Sequence, residues 1–220
     1  MTAPDPTAVL AAEQGIRSRT IELLRSLDQA QLDQTVPTCP AWTVAELACH
    51  MYGLGDDIVN GRLEGVGSDA WTEAQVARNA SMPIDELCDA WQDSAATFDE
   101  VLLAIPAPTN AQIVMDLATH EHDIRLAIGQ PGGQDPETLR IAAGFLLNGV
   151  TRQDPDVAAE IEGLDLSEFE LLRSLTGRRS VAQLRAAGFP VDAYVAHIAA
   201  APFSITTVDV VEVDLSEPPH

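Results

Sequence analysis

The strongest constraint on the fold is a series of segments whose apolar residues recur every three or four positions. Such segments begin at Pro6, Thr43, Pro83 and Thr109 and end near residues 30, 58, 105 and 128. In the second segment the apolar positions line one helical face, at Val44, Leu47, Met51, Leu54 and Ile58. Four helices that each carry one dominant apolar face are typical of a four-helix bundle, so a mainly α fold is predicted.

Local signals mark where these helices begin. Asp5 followed by Pro6 is a typical helix start, and Thr43 with Glu46 has the spacing of a capping box. Thr109 with Gln112 has the same spacing and predicts the start of the fourth helix. The polar, glycine-rich residues 61–82 predict a long connection with room for a short helix.

A glycine-rich stretch, residues 129–133, ends the fourth helix and predicts a domain boundary. Residues 1–130 are expected to form a metal-binding bundle, and residues 131–220 a small, mostly helical C-terminal region. Helices are expected there at residues 139–150, 169–176, 181–187 and 193–200. Residues 208–213 alternate in polarity like a terminal strand. Such a strand needs a pairing partner, which could be a second subunit in a homodimer. Without a partner these residues would remain a loose acidic tail.

The charge and composition of the chain exclude several classes of protein. The net charge is −22 and all 12 basic residues are arginine, which argues against binding to nucleic acids or anionic membranes. No apolar run approaches the roughly 18 residues that cross a bilayer. The cysteines Cys39, Cys49 and Cys88 form neither a disulfide framework nor a cysteine zinc site. With no secretory signal at the N-terminus, the expected location is cytoplasmic.

The fourth segment is dense in residues that can bind metals. Asp116, His120 and Asp123 fall within roughly 60° of one another on a helical wheel, and Asp116 and His120 have the i, i+4 spacing that lets two side chains hold one cation. The best candidate for a third ligand is His50, at the margin of the apolar stripe of the second helix. The alternative is that these residues bind no metal and are only polar residues at helix edges, with His50 a partly buried core histidine.

Three stretches of sequence resemble one known family. VPTCPAWTVAELACH, residues 36–50, resembles the start of the metal-binding helix in mycothiol-dependent maleylpyruvate isomerase-like proteins, which belong to the DinB-like four-helix bundle group. MDLATHEHD, residues 115–123, resembles the second half of that family's site, an acid-x-x-x-His-x-x-Asp motif. Residues 169–180 are similar to a segment common in the C-terminal parts of such actinobacterial proteins. The resemblance covers most of residues 5–187.

The resemblance implies a DinB-like bundle that binds a divalent metal, most readily zinc, through His50, Asp116 and His120. It also implies mycothiol as the thiol cofactor. The acidic ligand of the family is usually Glu, and here it is the shorter Asp116.

The implied ligands point to a catalytic site, because two histidines and one carboxylate leave an open coordination position. A thiol bound there loses its proton near neutral pH and can attack a small electrophilic molecule, as an isomerase or thiol transferase requires. Asp123 could accept a hydrogen bond from a ligand histidine or guide the entering group, or it could be a surface carboxylate paired with Arg125. The alternatives are a non-catalytic metal- or ligand-binding protein, a metal-dependent hydrolase, and a bundle that serves only for interactions.

The remaining candidates have weaker signals. Arg178 and Arg179 could bind a carboxylate of the substrate or of mycothiol, or they could satisfy helix-end carbonyls and surface acids. His122 points roughly 160° away from His120 on the wheel and is expected to face solvent. His197, Cys39 and Cys49 are expected to be structural.

Overall fold

The chain is described by a computed structural model over residues 3–198, 205–212 and 214–215, with backbone only at 195–198. The described residues are mainly helical, which confirms the predicted fold class. The elements of the N-terminal part are α1 (Pro6–Ser26), α2 (Gln29–Leu32), β1 (Thr35–Val36), β2 (Cys39–Thr43), α3 (Val44–Val59), α4 (Asp69–Asn79), α5 (Ile84–Asp93), α6 (Ala95–Ala104) and α7 (Thr109–Ala127). Those that follow are α8 (Pro136–Gln153), α9 (Pro155–Glu162), α10 (Glu168–Leu175), α11 (Val181–Ala186) and α12 (Val191–Ile198).

Helix α1 begins as expected, with the Asp5 side chain accepting a hydrogen bond from the backbone N–H of Thr7. It ends earlier than predicted because a second helix start interrupts it. Asp28 and Gln31 form a reciprocal capping box that opens the one-turn helix α2. After α2 the chain forms the antiparallel hairpin β1–β2, for which no strand was predicted.

Helix α3 begins with the predicted capping box, in which both the Thr43 and Glu46 hydrogen bonds are present. The glycine-rich connection then contains a full helix, α4, capped by Ser68. A Cβ atom added to Gly53 of α3 would lie 2.7 Å from the Cβ atom of Gln75. Glycine at position 53 therefore lets α4 approach α3 closely enough for their backbones to pack.

Two further details of the predicted helices were wrong. The third predicted helix is interrupted at Ser94, whose hydroxyl donates to the carbonyl of Trp91, so α5 and α6 are separate. Helix α7 begins at Thr109 and ends at Ala127, as predicted, but Thr109 is not its cap: the N-cap is Pro108, and no cap hydrogen bond from a described side chain is found at this end.

The C-terminal region is mostly helical, as expected. Asp135 caps α8, which extends beyond its predicted limits. Helix α9 was not predicted, although Asp154 before Pro155 repeats the Asp-Pro start signal. The described residues between 205 and 215 contain no strand, so the terminal strand is not found there. Residues 199–200, the side chain of His197 and Val213 lie outside the described part.

Two clusters of buried apolar residues stabilise the fold. The first is built from the helices α1, α3 and α5–α7 and extends to Ile141 of α8 and Leu172 of α10. The second joins α8 and α9 to α11 and α12. Helix α8 therefore contributes to both clusters, and the division of the chain at residue 130 stays a prediction. No helix in the described part of the chain is long and apolar enough to cross a membrane.

Candidate metal centre

The residues predicted as metal ligands lie together between α3 and α7. The Nε2 atom of His50 lies 3.4 Å from Oδ2 of Asp116, and Nε2 of His120 lies 3.7 Å from Oδ1 of the same carboxylate. The two imidazole rings meet edge to face, with centroids 5.0 Å apart. One ligand atom from each residue lies within 4.8 Å of the others, so a single ion could contact all three.

The ring of His120 is oriented by Asp123. Its Nδ1 atom lies 3.2 Å from Oδ2 of Asp123, and the carboxylate can only accept a hydrogen bond. The ring proton therefore belongs on Nδ1, which leaves the Nε2 lone pair facing Asp116. Asp123 is fully buried, which excludes the alternative of a surface carboxylate paired with Arg125. Arg125 pairs with Glu121 instead.

Asp123 carries its negative charge in the interior because two arginines surround it. Nη1 of Arg173 lies 2.8 Å from one carboxylate oxygen, and Nη2 of Arg178 lies 2.7 Å from the other. The hydroxyl of Thr38, from the β1–β2 hairpin, donates a further hydrogen bond of 2.8 Å. Burial works to raise the pKa of Asp123, but the charges of Arg178 and Arg173 hold it well below its ordinary value. Asp123 is therefore ionised at neutral pH.

The ring of His50 is oriented by a residue of α4. Its Nδ1 atom lies 2.8 Å from Oε1 of Gln75, and the amide nitrogen of Gln75 donates to Oδ2 of Asp57 at 3.0 Å. All three side chains are buried. On its other side the ring of His50 packs against Trp42, with centroids 5.4 Å apart. As with His120, this arrangement leaves Nε2 for Asp116.

The side chains of His50, His120 and Asp116 thus point their acceptor atoms, the two Nε2 atoms and the carboxylate oxygens, toward one another. A cation bound between them would stabilise this arrangement. Oδ2 of Asp116 is buried and has no well-oriented hydrogen bond from the described residues. Burial works to lower the pKa of His50, but the carboxylate of Asp116, 3.4 Å from Nε2, raises it overall, so a proton on Nε2 can stand in for the cation. Burial lowers the pKa of His120, so this ring favours its neutral, metal-binding form. Two neutral imidazoles and a carboxylate are a donor set that suits zinc.

Cys39 lies beside the site but is a poor metal ligand. Its sulfur atom is within 4.8 Å of ligand atoms of His120 and Asp123, which makes a second group of potential ligands. The carboxylate of Asp123 is already held by the arginines, however. Burial and the charge of Asp123 raise the pKa of the thiol to about 12 despite Arg178, so it stays protonated. This agrees with the expected structural role of Cys39.

The predicted cofactor-binding arginines are both buried and both hold partners within the chain. Arg178 donates to Asp123 and, at 2.6 Å, to the carbonyl of Thr176 at the end of α10. Arg179 pairs with Glu170 at 2.6 Å and with Glu212 at 2.7 Å. These contacts match the alternative in which the arginines satisfy a helix-end carbonyl and acidic side chains. A role in cofactor binding stays a prediction.

The expectation for His122 was wrong. Its side chain is only 4% exposed and packs edge-on against Phe169 of α10, with centroids 5.0 Å apart. Burial, together with the charges of Arg173 and Arg125, lowers its pKa to about 3. Although His122 does point away from the metal centre, that side of α7 is covered by α10 instead of solvent.

Four residues that contact a ligand histidine or its partner were not predicted: Thr38, Asp57, Gln75 and Arg173. Gln75 carried no signal because it lies 25 positions from His50 in a segment that reads as a loop. Asp57 lies seven positions from His50, two turns along the same helical face, so its spacing was a signal. Thr38 and Arg173 lie within the stretches 36–50 and 169–180 that show the family resemblance, which could have pointed to them.

Comparison with known protein families matches residues 14–128 to the family described as the mycothiol maleylpyruvate isomerase N-terminal domain. The match spans more than half of the 220 residues and includes His50, Asp116, His120 and Asp123, while Arg178 and Arg179 lie beyond it. Comparison with curated proteins finds no match. Comparison with solved structures finds none either. The matched segment contains the three potential metal ligands that the structure brings together. The chain belongs to the mycothiol maleylpyruvate isomerase N-terminal domain family, a mycothiol-associated, metal-binding family.

Proposed function

We propose that this protein is a metal-binding, mycothiol-dependent isomerase or thiol transferase that acts on a small electrophilic molecule. In this proposal His50, Asp116 and His120 hold one divalent ion, most readily zinc. The observation that carries the proposal is the convergence of three acceptor groups between α3 and α7, two of them on buried histidines and the third on the half-buried Asp116. Their partners on the far side of each ring, Gln75 and Asp123, leave both Nε2 lone pairs facing Asp116.

The ion would supply an open coordination position at which the pKa of a thiol falls. The protein residues have supporting roles. Asp116 contributes the negative charge of the ligand set, and Asp123 keeps the proton of His120 on Nδ1. Trp42 covers one side of His50 and limits the access of water to it. Asp123 is the residue proposed to act beside the ligands during the reaction, because it is the ionised group closest to His120.

Of the two arginines proposed to bind a carboxylate of the thiol or substrate, Arg178 is the better placed. Its guanidinium donates to Asp123, which itself contacts His120, so it lies one residue from the metal centre. The guanidinium of Arg179 is directed to Glu170 and Glu212. The proposed partners are therefore a low-molecular-weight thiol and a small substrate, in the cytoplasm and without nucleic acid or membrane. A homodimer is also proposed, with Val211, which is 87% exposed, near its contact surface.

Metal binding is tested on protein purified without chelators. We expect about one zinc ion per chain in the wild type by elemental analysis, and little in His50→Ala. Asp192→Asn is the matched control, because its carboxylate is fully exposed on α12 and far from the ligands in sequence. A folded, metal-free wild type that cannot take up added zinc would show that the proposed site does not bind metal.

The thiol step is tested with cobalt in place of zinc. A sulfur ligand gives cobalt an absorption band in the near ultraviolet, so we expect this band when mycothiol is added. The test of catalysis is thiol transfer to a small electrophile in the presence of zinc. If metal is fully bound and mycothiol leaves the cobalt spectrum unchanged, thiol activation is wrong. The binding-protein or hydrolase alternative then takes its place.

A further inference from the structure

Gln75 lies at the centre of a chain of buried polar contacts that starts at the metal centre and ends at the surface. It accepts from the ring of His50 and donates to Asp57, which in turn is held by Arg62 and Arg78. We propose that Gln75 is a positioning residue for His50: anchored by Asp57, it keeps the ring proton on Nδ1 and directs the lone pair of Nε2 toward Asp116. This inference rests on the proposed function, in which His50 is a metal ligand.

The direction of the Gln75 amide follows from its neighbours. The carboxylate of Asp57 can only accept, so the NH₂ group of Gln75 must face it, at 3.0 Å. Oε1 then faces Nδ1 of His50 at 2.8 Å, where it can only accept. The reversed amide would set an oxygen against the carboxylate and an NH₂ group against a ring nitrogen. The ring proton is thereby assigned to Nδ1.

Asp57 holds the amide in place because it is itself anchored. Its side chain is fully buried, and Oδ1 accepts from Nε of Arg62 at 2.6 Å and from Nη1 of Arg78 at 2.7 Å. Both arginines are partly exposed, so the chain of contacts connects a surface ion pair to the buried histidine. Asn79, one turn after Gln75, donates to the carbonyl of Gln75 at 2.9 Å and to that of Cys49 at 3.5 Å, which ties α4 to α3.

The close approach of the two helices is what brings the amide within reach. Since a Cβ atom on Gly53 would lie 2.7 Å from Cβ of Gln75, any side chain at position 53 would push α4 away from α3. The hydrogen bond to Nδ1 of His50 would then lengthen or break. Gly53 is one turn beyond His50 on α3, so its small size acts on the part of α4 that carries the amide.

The two histidines of the site are therefore oriented by groups of different charge. His120 donates to a carboxylate, that of Asp123, whereas His50 donates to a neutral amide. A carboxylate at position 75 would face Asp57 at about the same 3.0 Å distance and would repel it. The amide orients His50 without adding negative charge next to Asp116.

The first test is direct and uses the metal-free wild type. Nitrogen-15 NMR of the imidazole rings identifies which nitrogen carries the proton, at a pH high enough for His50 to hold only one. We expect the proton of His50 on Nδ1. A wild-type ring with its proton on Nε2 would overturn the proposal, whatever the metal affinity is.

The second test compares variants by zinc titration against a competing chelator. Gln75→Leu keeps the size of the side chain and removes the amide, and we expect a mixture of His50 tautomers and a loss of zinc affinity of about 10–100-fold. Gln75→Asn keeps an amide that is one methylene too short to reach both partners, and provides a second variant if the first fails to fold. Gln92→Leu, on the exposed face of α5, is the matched control and should bind like the wild type.

The outcomes separate this inference from the proposed function. A folded wild type that binds no zinc contradicts the proposed function, while the NMR assignment still decides the position of the ring proton. If the wild type binds zinc and both folded Gln75 variants bind it equally well, the metal centre stands and the positioning role of Gln75 is wrong.

Discussion

Replacing Asp123 with asparagine tests how the buried charges around the metal centre are balanced. The carboxylate is fully buried between Arg173, at 2.8 Å, and Arg178, at 2.7 Å. Asn keeps the shape but removes the charge, so two guanidinium groups would remain in the interior with less compensation. Loss of one partner from a buried ion pair costs about 3–5 kcal/mol, and no reduction for solvent screening applies at a fully buried site.

For a chain of this length, a loss of that size corresponds to a decrease in melting temperature of roughly 6–20 °C. The same variant should weaken zinc binding by about 10–100-fold, because Asn can turn its NH₂ group toward Nδ1 of His120 and no longer favours one tautomer. Calorimetry of the metal-free protein measures the first effect, and zinc titration of the folded variant measures the second.

The matched control is Asp89→Asn. Asp89 also pairs with an arginine, Arg25, at 2.5 Å, but its side chain is 66% exposed and lies on α5, which carries none of the proposed ligands. We expect a small loss of stability at most and unchanged zinc affinity. If Asp123→Asn melts at the wild-type temperature and binds zinc as tightly as the wild type, the carboxylate neither balances the arginines nor orients His120.

Two further predictions concern the acidic ligand and the buried histidine. Asp116→Glu restores the residue usual in the family and should keep zinc bound. Asp116→Ala removes a ligand, so it should lower the zinc affinity by more than the roughly 100-fold expected for loss of an orienting partner. Equal zinc affinities of the two variants in a titration would contradict this. His122 is neutral in the folded protein, with a pKa of about 3 against an ordinary 6.5. Below pH 6.5 the unfolded chain takes up a proton there and the folded chain does not, so stability falls until about pH 3 by roughly 3–6 kcal/mol from this group. Urea unfolding at pH 7 and pH 4 should show a smaller loss in His122→Leu than in the wild type, and identical losses would contradict the buried neutral state.

Helix starts and helix-borne ligand pairs were predictable because they depend on contacts within one or two turns. The capping box of Thr43 and Glu46 uses only residues three positions apart, and it forms as expected. Asp116 and His120 lie one turn apart, so any helix at this position places them on the same side. That His50 would join them was a hypothesis from a family resemblance and from its place beside an apolar stripe.

What the sequence determined by itself is the mainly α fold, most helix starts and the pairing of Asp116 with His120. Tertiary structure decided which sides of α7 are covered: packing of α1, α3, α8 and α10 around it buries His122 as well as His120. It also decided which residues support the ligand rings: Gln75 reaches His50 across 25 positions, and Arg173 of α10 reaches Asp123, which orients the ring of His120. The physical reason is that a buried polar group takes its partner from whichever element packs against it, and neither periodicity nor spacing records which element that is.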